Sequence, residues 1–208
     1  MITLFDMSVE EFLNQVGSSA PVPGGGAASI VSGLIGLYLI RMSATISAND
    51  AMEGPLAEFI GYLDQAAITL KENALEDMRL FHGYMAALKI PKGTHAEKQA
   101  REKALLDATL LASEAPLVPA SVFLDVLTRT SANSILIKAS IESDLFAGAA
   151  LVHSAVNALL MNVDINIRPA RMSEYREHFI NKKHSIQLEL ASVIAQLDKR
   201  AREAGFSP

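Results

Sequence analysis

The chain has no cysteine and no tryptophan, and only 6% of its residues are aromatic. Without cysteine, disulfides and thiolate metal sites are excluded, and nothing marks an oxidising compartment. The N-terminus shows no basic stretch followed by a short apolar core, so no secretory signal is read and the simplest location is the cytoplasm. Charge of one sign is also missing: 18 Lys and Arg are scattered among 23 Asp and Glu, for a net −5. No basic face asks for nucleic acid, so a nucleic-acid partner is not expected.

Metal-binding spacings are equally absent. No two of His82, His95, His153, His178 and His184 share a metal-binding spacing such as i and i+4 with a carboxylate partner, so no metal is expected. Neither a Gly-x-Ser-x-Gly elbow nor a phosphate-binding P-loop occurs. Period-two alternation is missing too, which removes half-buried strands and predicts an all-α fold. Two apolar stretches fall short of a membrane span. Ala27 to Ile40 is only fourteen residues before Arg41 intervenes, and Leu145 to Val163 contains His153, Asn157 and Asn162. No membrane partner is expected.

What remains is a chain of 208 residues, half of them hydrophobic, which suits one domain over 1–208 with an ample core. The pattern predicts a bundle of long antiparallel helices around two buried apolar ones. Ser8 with Glu11 forms a capping box, and Val9, Phe12, Leu13 and Val16 then recur at helical spacing up to Gly17. Pro21-Val22-Pro23-Gly24-Gly25-Gly26 opens directly onto the first apolar helix, which runs to a polar break at Asn49-Asp50. Pro55 starts a very long helix that ends before Pro91. Its seam reads Leu56, Ile60, Leu63, Ala67, Leu70, Ala74, Asp77, Phe81, Tyr84, Leu88.

Thr94 with Glu97 caps a further helix, on which Ala100, Ala104, Ala108, Leu111 and Ala115 predict a narrow, closely packed stripe before Pro116 and Pro119. Val122 to Leu127 reads as a short helix, 131–143 as a mixed region, Asp144 to Ile167 as the second apolar helix and Ser173 to Ala204 as a long terminal one. Small residues at four-residue spacing, Ala28, Ser32 and Gly36 with Ser29 and Gly33, allow close helix contact on the first apolar helix.

Chemistry concentrates at few positions. Three bare glycines at a helix start would let an anionic or carbonyl-bearing ligand approach free N–H groups, although they also serve as plain punctuation. Asp77 sits where the seam asks for an apolar residue, so it must be bonded, paired or protonated unless Met78 turns inward in its place. Asp144 follows Ser143 at a helix start, where capping alone would account for it. Lys92 and Arg101 flank the loop after the long helix and could hold a carboxylate. Asn133, Asn162 and Asn166 lie in apolar context, suited either to an amide-like ring edge or to closing a helix end.

In order, Pro21-x-Pro-Gly-Gly-Gly26, Asp77-x-x-x-Phe81 leading to Ile90-Pro91-Lys92, Glu97 to Arg101, Ser143-Asp144 and Asn162-Val163-x-x-Asn166 resemble the formiminotransferase-cyclodeaminase C-terminal family over residues 3 to 190. The resemblance implies an all-α homodimer acting on a tetrahydrofolate, as a hydrolase or a lyase: a methenyltetrahydrofolate cyclohydrolase or a formimidoyltetrahydrofolate cyclodeaminase. It implies no cofactor beyond that substrate. By the same likeness Asp77 and Asp144 are the carboxylates near the reacting centre or the pterin. Pro23, Gly24, Gly25, Gly26, Lys92, Asn133, Ser143, Asn162 and Asn166 then fall to substrate binding. Two departures stand out: Ala27 where the family usually carries Ser, with Ser29 nearby as a stand-in, and Arg41 in a segment usually apolar. They leave open a non-catalytic, folate-binding or purely structural helical dimer.

Overall fold

The computed structural model describes residues 4–49 and 53–207, and no strand occurs among them. Seven α-helices follow one another: α1 (Val9–Val16), α2 (Gly25–Ala48), α3 (Pro55–Leu88), α4 (His95–Glu114), α5 (Leu117–Asn133), α6 (Glu142–Asn166) and α7 (Arg176–Glu203). Short 3-10 turns lie at Leu4–Asp6, Ser134–Leu136, Ala139–Ile141 and Ala170–Met172. The all-α expectation holds. Both capping boxes form: the Ser8 hydroxyl accepts from Glu11 N–H at 3.2 Å, and Thr94 accepts from Glu97 N–H at 3.2 Å. Asn49 closes α2 in the left-handed region at φ 51°, whereas its expected neighbour in the break, Asp50, lies outside the described residues.

Helix boundaries differ from the sequence reading most at α5 and α7. Helix α5 begins at Leu117 rather than Val122, because Pro116 occupies its N-cap and Pro119 its first turn, where a missing N–H breaks no helical bond. Helix α7 begins at Arg176, after the 3-10 turn that uses Ala170 to Met172.

Helices α2 and α6 form the centre, running antiparallel, with α3 against α2, α5 against α6 and α7 on α5. Their closest approach is glycine on glycine. A Cβ added at Gly36 would stand 2.5 Å from the carbonyl oxygen of Gly148, and one at Gly33 would stand 2.3 Å from Phe123 Cζ. Leu37, Ile40 and Val152 are fully buried around that crossing, as are Leu159 and Val163 further along α6. Each such side chain contributes about 1.5–3 kcal/mol on leaving water.

Within one chain each of the two central helices keeps an uncovered face. Ile35 on α2 remains 57% exposed and Met161 on α6 68% exposed. Both helices, and the stretch His95–Leu136, are long and apolar enough to cross a membrane by length and composition alone. The alanine stripe on α4 is corrected. Its buried face is Leu105, Thr109 and Ser113, four residues apart, while Leu111 is 55% exposed. The hydroxyls of Thr109 and Ser113 are satisfied by carbonyls of their own helix, which makes their burial tolerable. Arg41, the charge within α2, reaches α3 and holds Asp64 through two bonds of 2.5 and 3.0 Å.

Candidate functional site

The site follows from a difference in helix length. Helix α2 packs antiparallel on α3, with Arg41 opposite Asp64 and Ala27 opposite Asp77. Helix α2 begins at Gly25, but α3 continues past Asp77 to Leu88, an overshoot of about 16 Å at 1.5 Å per residue. The ends of α4 and α6 wall in the space beyond the α2 N-terminus. The result is a cavity of about 400 Å³. This is why Asp77, Phe81 and Tyr84, although they continue the α3 seam, line the cavity and not the core.

Asp77 stands at the base of this space. Its Oδ2 accepts the Ala27 N–H at 3.1 Å, so a carboxylate from α3 caps the first turn of α2, whose own N-cap, Gly24, has no side chain to do so. Burial pushes the Asp77 carboxyl above its ordinary value, and the Ala27 bond pulls it partly back. Among the described residues, no protein donor engages Oδ1. Met78 also packs on the core's edge, but it does not displace Asp77 from the inner face.

The three glycines divide their work in a way the sequence does not reveal. A Cβ on Gly26 would lie 2.3 Å from Asp77 Oδ1, so Gly26 is bare to admit the carboxylate. At Gly25 the nearest atom to an added Cβ is Asn162 Oδ1 at 3.3 Å, and Gly24 has only Pro21 oxygen at 3.8 Å. The first-turn N–H groups of α2 lack helical partners, and Gly24 and Gly25 line the cavity. Pro23 is buried beneath the bend and is not part of the cavity wall.

Asn162 and Asn166, one turn apart on α6, both face the cavity. Asn162 Nδ2 donates to Ala158 oxygen at 3.1 Å, and Asn166 Nδ2 donates to Ala112 oxygen on α4 at 2.6 Å. Each donor is thereby fixed, which orients the amide oxygen. Ala27 is fully buried and contributes through its N–H, so the missing hydroxyl at that position costs the Asp77 bond nothing. Ser29 does not replace it, because its hydroxyl is held by Gly25 oxygen at 2.6 Å.

The remaining sequence candidates lie elsewhere. Asp144 and Ser143 are in the first turn of α6, and Asn162 is near its end, so about 27 Å of unbroken helix separates them. Within one chain the two acids do not converge, since a continuous helix cannot fold back. Lys92 is exposed on the loop after α3 and does not line the cavity. Asn133 closes the end of α5, its Nδ2 donating to Arg129 oxygen at 2.8 Å. Arg101 donates through Nη2 to Leu88 oxygen at 3.2 Å and so ties α4 to the end of α3. Conversely, Leu80, Thr109, Ala112 and Ile165 line the cavity without having been singled out. Thr109 carried a usable signal, a polar residue one turn from Leu105 on the inner face of α4.

A second, wider hollow of about 780 Å³ runs between α5 and α7. Its charges are exposed, and Lys182 is already paired with Glu114 at 2.7 Å, so it offers no group comparable to Asp77.

These features define a helical bundle with one half-buried carboxylate at a helix N-terminus, in a cavity of small-molecule size walled by amides and aromatic rings. Comparison with known proteins narrows the class. Residues 8–185 match the sequence profile described as Formiminotransferase-cyclodeaminase, and the chain belongs to that family. A methenyltetrahydrofolate cyclohydrolase from Methylorubrum extorquens is 26% identical over 165 residues, covering 77% of this chain and 79% of that protein. A formimidoyltransferase-cyclodeaminase from Gallus gallus is 27% identical over 200 residues, covering 91% of this chain but only 36% of that longer protein. The fold matches a crystal structure of formiminotetrahydrofolate cyclodeaminase from Thermotoga maritima with a TM-score of 0.85, at 21% identity over 98% of this chain and 100% of that one.

Proposed function

We propose that this chain opens or closes the one-carbon bridge between N5 and N10 of a tetrahydrofolate, with Asp77 as the group that moves the proton. The observation that carries the reading is Asp77 itself: half-buried, raised in pKa by that burial, and with one oxygen unclaimed at the base of the cavity. An acid tuned upward toward neutrality exchanges protons efficiently in both directions. The cavity falls within the size range of small-molecule sites, and Phe81 and Tyr84 offer ring faces for a pterin. The oriented amides of Asn162 and Asn166 and the bare N–H groups at Gly24 and Gly25 suit the donors and acceptors of its edge.

Proteins of comparable length bear both names, a cyclohydrolase at 26% identity and a cyclodeaminase at 21%, and the cyclohydrolase reaction is read first on the higher identity. Water oxygen bonds to the methenyl carbon, the C–N5 bond breaks, one water proton ends on N5 and the other is released. Nearby carboxylate charge stabilises the cationic bridge. In the cyclodeaminase alternative, a lyase reaction, N10 bonds to the carbon of the protonated formimino group, the N10 proton passes to the leaving nitrogen, and ammonia departs to leave the methenyl cation. Both reactions need one group that accepts a proton and gives it back. The reading includes a homodimer in the cytoplasm, no cofactor beyond the folate, and no metal, nucleic-acid or membrane partner. Within one chain it assigns no substrate contact to Lys92, Asn133 or Ser143.

The test is spectroscopic. Purified protein should change the absorbance of methenyltetrahydrofolate or produce it from formiminotetrahydrofolate; a flat trace with both substrates refutes the catalytic reading.

A further inference from the structure

Arg101 is a cation whose ordinary partner is taken. It follows Glu97 by four residues on α4, the spacing at which a carboxylate and a guanidinium pair along a helix. Instead, Glu97 Oε2 accepts the N–H groups of Gly93 and Thr94, both at 2.9 Å, and completes the cap of α4. Among the described residues Arg101 forms no ion pair, and only its Nη2 is engaged, by Leu88 oxygen. Its Nε is buried with no partner, alone in that state among the buried side-chain nitrogens and oxygens described. A buried donor without an acceptor is unfavourable, and an acceptor brought by a ligand accounts for it.

The register of α3 against α4 says where such a ligand comes from. The bond to Leu88 sets Arg101 opposite the end of α3, one turn beyond Tyr84, which lines the cavity. On α4, Thr109 lines the cavity, and Arg101 precedes it by two turns on the same face, with buried Leu105 between them. Arg101 thus stands at the outer end of the α3–α4 seam, and Asp77 stands at the inner end, about 16 Å away along α3. Lys89, just after Leu88, and Lys98, three residues before Arg101, are exposed and form no ion pair among the described residues. They outnumber Glu102, the acid next to Arg101, so the outer end of the seam is positive and attracts an anion.

We propose that Arg101 holds the carboxylate tail of the substrate. The inference rests on the folate reading and adds to it the residue that fixes which way round the substrate lies. With the pterin at Asp77, the benzoyl ring and glutamate carried on N10 run outward along α3, and a glutamate carboxylate meets the half-buried guanidinium. A small rotation of the guanidinium brings the unpaired Nε–H to that carboxylate. The planar fork then offers two parallel bonds, which the point charge of a lysine does not reproduce. Arg101 touches the tail and not the reacting atoms, so its loss falls on KM.

Shortened substrates test this. The pteroate analogues of methenyl- and formiminotetrahydrofolate keep the pterin, the one-carbon unit and the ring, but end at the benzoate, short of Arg101. Wild-type protein should show kcat/KM at least about tenfold higher for the folate than for its pteroate counterpart, with the difference in KM. Arg101→Gln, whose amide still has a donor for Leu88 oxygen, should bring that ratio close to one by raising KM for the folate. Arg101→Lys, which keeps the charge without the fork, should fall between the two. A wild-type ratio near one, or an Arg101→Gln variant that loses both substrates equally, overturns the proposal and leaves the folate reading standing; the latter result makes Arg101 a tie between α4 and α3 and nothing more. If wild-type protein turns over none of the four, the catalytic reading fails. The same ratio, read as calorimetric affinities for tetrahydrofolate and tetrahydropteroate, then decides the tail, and a wild-type protein that binds no tetrahydrofolate overturns both.

Discussion

Two helix N-termini in this molecule are each served by an aspartate, and they behave differently. At α6, Asp144 belongs to the helix it serves and lies in its first turn beside Glu142, which is buried and paired with Arg200. At α2 the acid comes from another helix, fifty residues further on in sequence, and a glycine-lined bend admits it. In the first case the charge sits at a half-exposed helix start. In the second, α3 overshoots α2, water is largely displaced, and burial raises the carboxyl. Residue type and helix dipole are the same at both ends, so the overshoot makes the chemical difference.

The sharpest way to break this comparison is to remove the buried charge. Asp77→Asn should lower turnover by about 10²- to 10⁴-fold, the range for loss of a proton-transfer group, with substrate binding retained. The same variant tests the pKa. A carboxyl raised in the folded state binds its proton more tightly there than in the unfolded chain. Its contribution to stability is therefore full below the ordinary carboxylate range and is lost as pH rises through the raised value. Urea titrations should find Asp77→Asn as stable as the parent or more so at pH 7, with the difference closing as pH falls toward 4. A variant that is much less stable at pH 7 would show that the carboxylate is a structural cap and little else.

Gly26→Ala should come next. The added methyl collides with Asp77 Oδ1, and because a displacement of about 1 Å can cost about 10² in rate, turnover should drop by that order while the fold survives. At the central crossing Gly36→Ala meets a backbone carbonyl that cannot swing away, so about 1–3 kcal/mol of stability should be lost in denaturant melts. The smallest effect belongs to Thr94→Ala, which removes a cap remote from the cavity. About 1 kcal/mol should be lost with kcat unchanged. A large rate effect from Thr94→Ala would mean that the α3–α4 loop, with Lys92, belongs to the site after all.

The helices were legible because periodicity and caps are local. Ser8 with Glu11, Thr94 with Glu97 and Pro55 mark their starts as read. Pro119 misled, because a proline in a first turn looks like a break until the helix register is known. Asp77 was legible as a misfit in an apolar seam, and its partner at Ala27 was not, since nothing local links positions fifty residues apart. The α4 stripe failed for a different reason: alanines are compatible with either face, and the buried polar residues Thr109 and Ser113 hide their hydroxyls in their own helix. Asn133 and Asn162 look alike in sequence, yet one closes a helix and the other faces the cavity.

A crystal structure with a bound tetrahydrofolate derivative tests the central claim most directly. The pterin should lie between the glycine bend and Phe81, with Asp77 Oδ1 within about 3.2 Å of a ligand nitrogen or of a water at the bridging carbon. A ligand seated in the α5–α7 hollow, with the Asp77 cavity empty, would contradict it.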